Sequence, residues 1–252
     1  MEKTYKTIKS VNNIDLSGRL PEDAVVNGRR ATFRLVHNFG GDKGAITIPF
    51  FMFAKRKDES IDEKKLALLK KGSKIDAHAY MMTTEYIDNE GKKKTFIEYI
   101  VKDIEAADKN DSVNNVDITG RLYADPEMTD KRCILHLIHN VAKDVTPVFR
   151  DVIVFDRTGS KKFNIPENLL KKGAPVLVHA FFNPDNLTNE DGTVKRYVVE
   201  LVAKKVEAAE LVERTRTVTN NDTENTAEDA DKMPIDLDID VEDGIVSGPD
   251  SE

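Results

Sequence analysis

A ten-residue block that occurs twice is the feature that most constrains the fold of this chain. Residues 11–20 read VNNIDLSGRL, and residues 113–122 read VNNVDITGRL, 102 residues later. The differences between the two blocks are all conservative. Self-similarity at a fixed spacing is typical of duplicated structural units, and a spacing of this size is that of a domain rather than of a short repeat. The sequence therefore predicts two copies of one domain.

The similarity extends over most of the chain. Residues 31–38 align with 133–140 at the same offset, as Phe53 does with Phe155, and the LLKKG segments at 68–72 and 169–173 align at an offset of 101. We therefore divide the chain into a first domain over residues 1–108, a second domain over 109–212 and a tail over 213–252.

Each copy shows the same order of predicted elements. In the first copy, residues 11–20, 31–36 and 73–81 alternate apolar and polar side chains, 46–53 is a longer apolar stretch and 95–104 forms a last strand. The SIDE segment at 60–63 predicts a capped helix that ends at Gly72, and the NIP segment at 164–166 predicts its counterpart. Three strands, one short helix and two strands is the order of an OB-fold, a five-stranded Greek-key barrel. The predicted fold class is therefore all-β: two tandem OB-folds, each with one short helix, and a disordered acidic C-terminal tail.

Charge divides the chain into two regions. The formal net charge is −7, yet residues 221–252 hold 12 of the 45 acidic residues and only one basic residue. Residues 1–220 carry a net charge of +4, from 37 basic and 33 acidic residues. A mildly basic body suits contact with polyanions, and the acidic tail suits a different partner.

The single cysteine and the hydropathy pattern indicate a cytoplasmic protein. Cys133 lies opposite Ala31 of the first copy, so we interpret it as a small buried hydrophobic residue. One cysteine fits a reducing compartment. Neither a membrane-span-length apolar stretch nor a signal-peptide core is found in the sequence.

Several segments recur in an order that is known from one family. They are the first strand with its GRL motif, the ADPE segment at 124–127, the apolar strand that ends at Phe53 or Phe155, the LLKKGSKI segment at 68–75 and the hairpin at 86–94. Together they resemble the bacterial single-stranded DNA-binding protein family, over residues 10–107 and 112–209. The resemblance implies OB-folds that assemble four barrels around a wrapped strand. Two barrels per chain then imply a homodimer with single-stranded DNA as its partner.

The resemblance also implies where bases would stack. Such aromatics lie after strand two, on strand three and before the glycine of the strand four–five hairpin, which implies Phe39, Phe53 and Tyr86 in the first copy. Strand alternation sends Phe53 and Phe51 to one face and Phe50 to the other. Phe39 and Tyr86 lack an apolar context, so we expect both to be exposed.

The second copy offers fewer aromatics, and the chain has no tryptophan. Phe155 is retained, and Phe149 is expected to supply a strand-three aromatic in a slightly different geometry. Val141 and Leu187 stand where the first copy has Phe39 and Tyr86. We therefore expect the first copy to stack bases more strongly than the second.

Basic residues near these aromatics are candidates for phosphate contacts. Each neutralised phosphate releases counterions, so binding through them should weaken steeply with salt. The candidates are Arg19, Arg30, Arg34, Lys55, Arg56, Lys92, Lys93, Lys94, Arg121, Arg157, Lys195 and Arg196.

Other chemistry finds little support in the sequence. His37, His78 and their counterparts recur, but without further ligands at metal-like spacing, so we expect no metal site. Asp15 and its counterpart Asp117 are expected to pair with basic neighbours. We find no phosphate-binding loop, nucleophile elbow or recurring carboxylate pair, so we expect no cofactor and no enzymatic activity.

The tail contains one patterned segment. Its composition predicts disorder, yet acidic and apolar residues alternate from 233 to 241. In the resembled family, an acidic tail ends in a short hydrophobic tip that docks replication and repair proteins, whereas here the apolar patch is internal. We expect residues 233–246 to dock such a partner through Met233, Pro234, Ile235, Leu237, Ile239 and Val241.

The sequence supports one function best and leaves alternatives open. The preferred one is non-catalytic, largely sequence-independent binding and protection of single-stranded DNA in replication, recombination or repair. An RNA-binding or primosomal OB-fold protein is the nearest alternative. A module whose barrels bind only protein is the other, since the second copy has few candidate stacking residues.

Overall fold

A computed structural model of the chain describes residues 2–40, 44–56, 59–108, 112–142, 145–156, 163–188 and 194–217. In the first half the strands are β1 (Glu2–Ile8), β2 (Asn12–Arg19), β3 (Val25–Asn27), β4 (Arg30–Asn38), β5 (Ala45–Phe53), β6 (Lys74–Ile87) and β7 (Lys93–Ala106), with helix α1 (Glu63–Leu68) before β6. In the second half they are β8 (Asn114–Leu122), β9 (Glu127–Met128), β10 (Arg132–His139), β11 (Val148–Phe155), β12 (Pro175–Thr188), β13 (Val194–Ala208) and β14 (Leu211–Thr217). Within the described ranges, the helices are too short or too polar to traverse a bilayer.

Five strands close each barrel. In the first copy, β2 pairs antiparallel with β4 and with β6, β4 pairs with β5, and β6 pairs with β7. A parallel pairing of β5 with β7 completes the ring. In the second copy, β8, β10, β11, β13 and β12 form the same ring, which a parallel pairing of β11 with β13 again closes. The predicted pair of five-stranded OB-type barrels is confirmed.

Alternating side chains fill the barrel interiors, as the strand patterns predict. On β5, Phe50 is fully buried, whereas Phe51 and Phe53 lie on the outer side. On β10, Cys133 is buried at the position that Ala31 occupies in the first copy, which confirms its interpretation as a small hydrophobic residue. Burial raises the pKa of the Cys133 thiol to about 11.

The glycine of the repeated GRL motif lies where two strands approach closely. A Cβ atom on Gly18 would lie 3.0 Å from the carbonyl oxygen of Val36. A Cβ atom on Gly120 would lie 2.8 Å from the side chain of Leu137 and closer still to the carbonyl oxygen of Ile138. The motif recurs because the first strand of each barrel has no room for a side chain at this point.

The two barrels join through their equivalent first strands. β2 and β8 pair antiparallel with Ile14 opposite Val116, and both residues are fully buried. Because these two residues occupy the same position in the repeat, the pairing is centred on a local two-fold relation between the copies. The Ser17 hydroxyl accepts the backbone N–H of Val113 at 2.9 Å, and the Thr119 hydroxyl accepts that of Val11 at 2.8 Å.

The helix starts differ from those expected. The N-cap of α1 is Asp62 and not Ser60, because the Asp62 carboxylate accepts the backbone N–H of Lys64 at 2.9 Å. In the second copy, one turn of 3₁₀ helix at Glu167–Leu169 replaces the expected α-helix. Pro166 occupies its N-cap position with an extended ψ of 130° and has no side-chain cap hydrogen bond. The helix cannot begin at the NIP segment because the chain is still extended there.

The two ends of the described chain form a feature that the sequence analysis did not predict. β1 and β14 pair antiparallel as a separate two-stranded sheet, which we call the terminal ribbon. β14 ends at Thr217, so a strand occupies the first five positions of the segment that was assigned to the tail. The rest of that segment lies outside the described residues.

Candidate nucleic-acid interface

Exposed rings and a guanidinium lie together on the outer face of β4 and β5. Phe53 is 45% exposed, and Phe51 on the same face is half-buried. Arg30 lies opposite Phe53 in the strand register. Its guanidinium carbon lies 4.2 Å from the ring centroid of Phe51 and 5.8 Å from that of Phe53, within the range of cation–π contacts. We call Arg30, Phe51 and Phe53 the first aromatic cluster.

A buried carboxylate holds the guanidinium of this cluster in place. Glu98 on β7 is 5% exposed, and one of its oxygens lies 3.1 Å from a terminal nitrogen of Arg30. The Thr84 hydroxyl donates to the other oxygen at 2.8 Å. Because Arg30 keeps 43% of its side chain exposed, it remains accessible to an anion while its position is fixed.

Tyr86 extends the interface onto the hairpin between β6 and β7. Its ring is 44% exposed, as predicted, and packs edge-to-face on Phe96 with 5.6 Å between centroids. Phe96 is half-buried rather than part of the core. In an OB-fold, the face of strands two and three and the hairpin between strands four and five are the usual oligonucleotide surface. Tyr86 and the first aromatic cluster occupy these two places.

The hairpin lysines each lie beside a carboxylate. The ammonium nitrogens of Lys92, Lys93 and Lys94 lie 2.9, 2.8 and 3.5 Å from carboxylate oxygens of Glu90, Glu85 and Asp88. The N–H of Lys92 donates to Asp88 and is the main cause that lowers the pKa of this carboxyl. The pairs of Lys92 and Lys93 are exposed, and pairs of this kind contribute little to stability, so a phosphate can replace Glu90 and Glu85.

Phe39 differs from its expected exposure. The ring is half-buried, packs against the barrel core and contacts His37 edge-to-face with 5.0 Å between centroids. The backbone N–H of Phe39 donates to the carbonyl oxygen of Gly44 at 3.2 Å, which holds the backbone of Phe39 at the end of β4. Val141, at the corresponding place in the second copy, also packs against the core.

The second copy arranges its outer aromatics differently. Phe155 is 42% exposed at the position of Phe53, and Arg132 lies opposite it as Arg30 lies opposite Phe53. Ile153 replaces Phe51 and is buried, so the arginine has no second ring there. The two copies therefore share the outermost ring and its arginine but not the complete cluster.

A further group of rings in the second copy lies directly after β8 and on β10 and β11. Phe149 lies at the register position of Thr47 in the first copy, and its ring packs edge-to-face on Tyr123 at 5.4 Å. The Tyr123 ring is 39% exposed and lies 5.6 Å from the imidazole of His136. We call Tyr123, His136 and Phe149 the second aromatic group.

Four residues of the two ring groups and their arginines were absent from the sequence-based set: Phe51, Tyr123, Arg132 and His136. Arg132 could have been found, because it is the counterpart of Arg30 at the repeat offset. Phe51 was assigned to the outer face but not to the site. Tyr123 follows the repeated GRL motif where the first copy has Pro21, so nothing in the first copy indicates a role for it.

The remaining arginine candidates have partners within the protein. A terminal nitrogen of Arg19 donates to the carbonyl oxygen of Gly72 at 3.1 Å, and one of Arg121 donates to that of Gly173 at 2.9 Å. Both therefore hold the turn that precedes the fourth strand of their barrel. The guanidinium of Arg34 lies 2.7 Å from a carboxylate oxygen of Glu22.

Lys55 and Arg56 are exposed directly after β5, so they continue the edge at which Phe53 lies. A terminal nitrogen of Arg56 lies 3.6 Å from a carboxylate oxygen of Glu59. Arg157 and the six residues proposed for partner docking lie outside the described residues. The side chains of Lys195 and Arg196 on β13 also lie outside what the structure describes.

Of the recurring histidines, His78 and His179 form carboxylate pairs on the outer side of the sheet, whereas His37 and His139 are buried beside backbone carbonyl oxygens. Nδ1 of His78 lies 2.6 Å from Asp15, and Nδ1 of His179 lies 2.7 Å from Asp117, which confirms that these aspartates pair with basic neighbours. The hydrogen bond with Asp15 is the main cause that raises the pKa of His78. In the described part of the chain, no three His, Cys, Asp or Glu side chains are arranged to hold a metal ion.

Comparison with known proteins gives a likeness in structure alone. Neither the protein-family models nor the curated proteins include a match. The crystal structure of the wild-type single-stranded DNA-binding protein from Thermus aquaticus is similar, with a TM-score of 0.53, 17% identity, and coverage of 80% of this chain and 94% of that one. A deletion mutant of the same protein gives a TM-score of 0.52, 17% identity, and coverage of 79% and 94%. The chain therefore has the fold of these proteins, with both barrels included in the match.

Proposed function

We propose that this protein binds single-stranded DNA without catalysis and with little sequence preference. The observation that carries the proposal is the first aromatic cluster. Phe53 offers an exposed ring and Arg30 an exposed guanidinium on the face of an OB-fold barrel that usually receives oligonucleotides. Rings stack on any base, and cations neutralise phosphates irrespective of sequence.

The structural likeness supports the proposal at the level of fold. The similar structures are those of single-stranded DNA-binding proteins, and they share both barrels with this chain. The more complete cluster in the first copy supports stronger stacking there than in the second.

We further propose the cellular role and the assembly. The protein coats and protects exposed strands in replication, recombination or repair in the cytoplasm, associated with the nucleoid. It acts as a homodimer that provides four barrels, so light scattering should give twice the chain mass of 28.3 kDa. A monomeric mass would contradict the dimer and leave the binding proposal standing.

The acidic tail is proposed to recruit replication or repair proteins. Deletion of residues 222–252 should abolish partner recovery in a pull-down and leave the affinity for oligo-dT undiminished. Unchanged recovery of partners by the truncated chain would contradict this role.

The affinity for labelled oligo-dT tests the main proposal. With an oligonucleotide of about 30 nucleotides, long enough for two barrels at common site sizes, Phe53→Ala should weaken binding about 5- to 20-fold, because it removes one stacking ring. Phe53→Leu is the matched control for bulk, since it keeps an apolar side chain but lacks a π-face, and it should lose nearly as much. Raising the salt from about 50 to 200 mM should weaken the wild type by orders of magnitude.

The same titration separates the alternatives. Tighter binding of oligo-U than of oligo-dT would replace the proposal with RNA binding. Absence of binding to either at low salt would contradict nucleic-acid binding and favour a module that binds only protein.

A further inference from the structure

The terminal ribbon has one side on which a ring and a cation are exposed together. In an antiparallel pair, residues directly opposite each other share a side. Tyr5 lies opposite Arg214, and Thr7 opposite Val212. Tyr5 is 47% exposed, Arg214 is also exposed, and the other two are half-buried. Among the residues that the structure describes, Tyr5 and Arg214 have no ion pair, ring contact or hydrogen bond outside the ribbon's backbone ladder.

The opposite side of the ribbon is different in charge. Lys6 lies opposite Glu213, so a cation and an anion face each other there. At the base of the ribbon, the Lys9–Glu210 pair continues the alternation of Tyr5 instead, and its ammonium lies 2.7 Å from a carboxylate oxygen, so this pair adds no net charge there. The side of Lys6 holds one basic residue against two acidic residues, Glu2 and Glu213, so it offers a polyanion no net positive charge.

The sequence of the two strands continues the same division. The backbone register places Lys3 opposite Arg216, two positions beyond Tyr5 and Arg214. The six positions that alternate with Tyr5 along both strands hold three basic residues and no acidic residue. Both acidic residues of the two strands, Glu2 and Glu213, fall on the other alternation. We call the side of Tyr5 and Arg214 the Tyr5 face.

We infer that the Tyr5 face is an additional binding surface for single-stranded DNA, separate from the barrels. The inference rests on the proposed function. An exposed ring beside a guanidinium combines base stacking with phosphate neutralisation, the two interactions that hold an unpaired strand. A duplex would meet the cations but present no base face to the ring, so the chemistry favours an unpaired strand.

The root of the ribbon lies at the junction of the barrels. The N–H of Thr119 on β8 donates to the carbonyl oxygen of Val11 at 2.9 Å, and the N–H of Ala209 donates to that of Pro175 at 3.1 Å. These bonds fix the ribbon to β8 and to the start of β12. A polynucleotide too long for the barrels alone therefore meets a further surface, attached to the second barrel by these bonds and to the first by the short chain between β1 and β2.

Three ribbon variants of the full chain test the inference. Tyr5→Ala removes the ring, Arg214→Ala removes the cation on the same side, and Lys6→Ala removes an exposed cation from the opposite side as the matched control. Fluorescence anisotropy should show Tyr5→Ala and Arg214→Ala weakening about fivefold on oligo-dT of about 60 nucleotides, the low end of single-ring stacking effects. The Lys6→Ala variant should stay within about twofold of the wild type, since Lys6 lies opposite an anion on the side of the ribbon away from Tyr5.

Oligonucleotide length and salt provide independent readouts. On oligo-dT of about 8 nucleotides, which one barrel can fill, all three variants should match the wild type. On the long oligonucleotide, Arg214→Ala should reduce the slope of log K against log salt by about 0.7, the value for one phosphate contact on a single strand, and Lys6→Ala should not. Circular dichroism confirms folding, and photocross-linking of a bromodeoxyuridine-substituted strand to the wild type should label the peptide that contains Tyr5.

The outcomes separate this inference from the proposed function. If Phe53→Ala weakens both lengths while the ribbon variants and the salt slope stay at wild-type values, the inference is overturned and the proposed function stands. An equal loss of affinity in Lys6→Ala and Arg214→Ala also overturns it, because the loss then does not depend on which side of the ribbon has lost its cation. If the wild type binds neither length, the proposed function fails first and removes the basis of the inference.

Discussion

At the residue scale, the carboxylate-paired histidines predict how stability depends on pH. The hydrogen bond with Asp15 is the main cause that raises the pKa of His78. For His179, burial opposes protonation, but hydrogen bonds with Glu207 and Asp117 outweigh it and also raise the pKa. A raised pKa means that the folded state binds the proton more tightly. The stability that this adds is fully present below the pKa of histidine in the unfolded chain, about 6.5. It is lost as pH rises through the folded-state pKa.

The double variant His78→Gln and His179→Gln tests this sign. Urea unfolding of the wild type should give a lower free energy of unfolding at pH 8 than at pH 6, and the double variant should lose most of that difference. Both imidazoles are partly exposed, so we expect about 1 kcal/mol or less in total after solvent screening. Burial lowers the pKa of His139, which acts in the opposite direction and remains in both proteins as an internal control. An unchanged pH slope in the double variant would assign the dependence to other groups.

At the element scale, the repeated glycine of the GRL motif gives a graded prediction. Gly18→Ala should cost about 1 kcal/mol and Gly120→Ala about 2–3 kcal/mol, the range for overpacking a close-packed site. The order follows from the contacts that an added Cβ would make, 3.0 Å at Gly18 against 2.8 Å or less at Gly120. Urea unfolding measures the free energy of unfolding of both variants. Gly91→Ala is unsuitable as a control, because Gly91 has a φ of +80°, in the left-handed region that favours glycine. A smaller loss of stability in Gly120→Ala than in Gly18→Ala would show that β10 can move away from the added Cβ atom and that β4 cannot.

The same scale shows what the sequence could and could not predict. The barrel strands were predictable because each buries one alternating face, and Phe50 and Phe53 divided between inside and outside as the alternation requires. The terminal ribbon was not, because β1 is mostly polar and its partner strand lies about two hundred residues away. The helix of the second copy was mispredicted because Pro166 was assigned to the first helical position, although its backbone is still extended. The exposure of Phe39 was mispredicted because the glycines that follow it do not indicate that its ring packs against the core.

At the scale of the whole molecule, duplication has kept the framework of the barrels and allowed the outer face to change. Asn12 brackets the backbone of Met81 with hydrogen bonds of 2.8 and 2.9 Å, and Asn114 brackets that of Phe182 at 2.9 Å in both directions. These asparagines lie in the repeated block, which is why that block is the best-preserved part of the sequence. The outer rings differ instead, since Ile153 replaces Phe51 in the second copy. The first copy therefore has the more complete ring cluster on a framework common to both.

The pairing of β2 with β8 predicts that the two barrels unfold together. Each of these strands belongs to a barrel ring and to the junction, and Ile14 and Val116 at its centre are fully buried. Unfolding one barrel would expose the junction face of the other, so calorimetry of the wild type should show one transition. Thr119→Val should move that whole transition down, because it leaves the backbone N–H of Val11 without its acceptor at a cost of about 1–3 kcal/mol.

At this chain length, that cost corresponds to a fall in Tm of about 2–4 °C per kcal/mol. Thr4→Val on the ribbon is the matched control, since Thr4 is exposed, and it should change Tm by less than about 1 °C. Two resolved transitions in the wild type would contradict the coupling. A Thr119→Val variant in which Tm falls for only one half of the unfolding enthalpy would contradict it as well. The junction would then join two barrels that remain energetically independent, and the copies would behave as tethered domains.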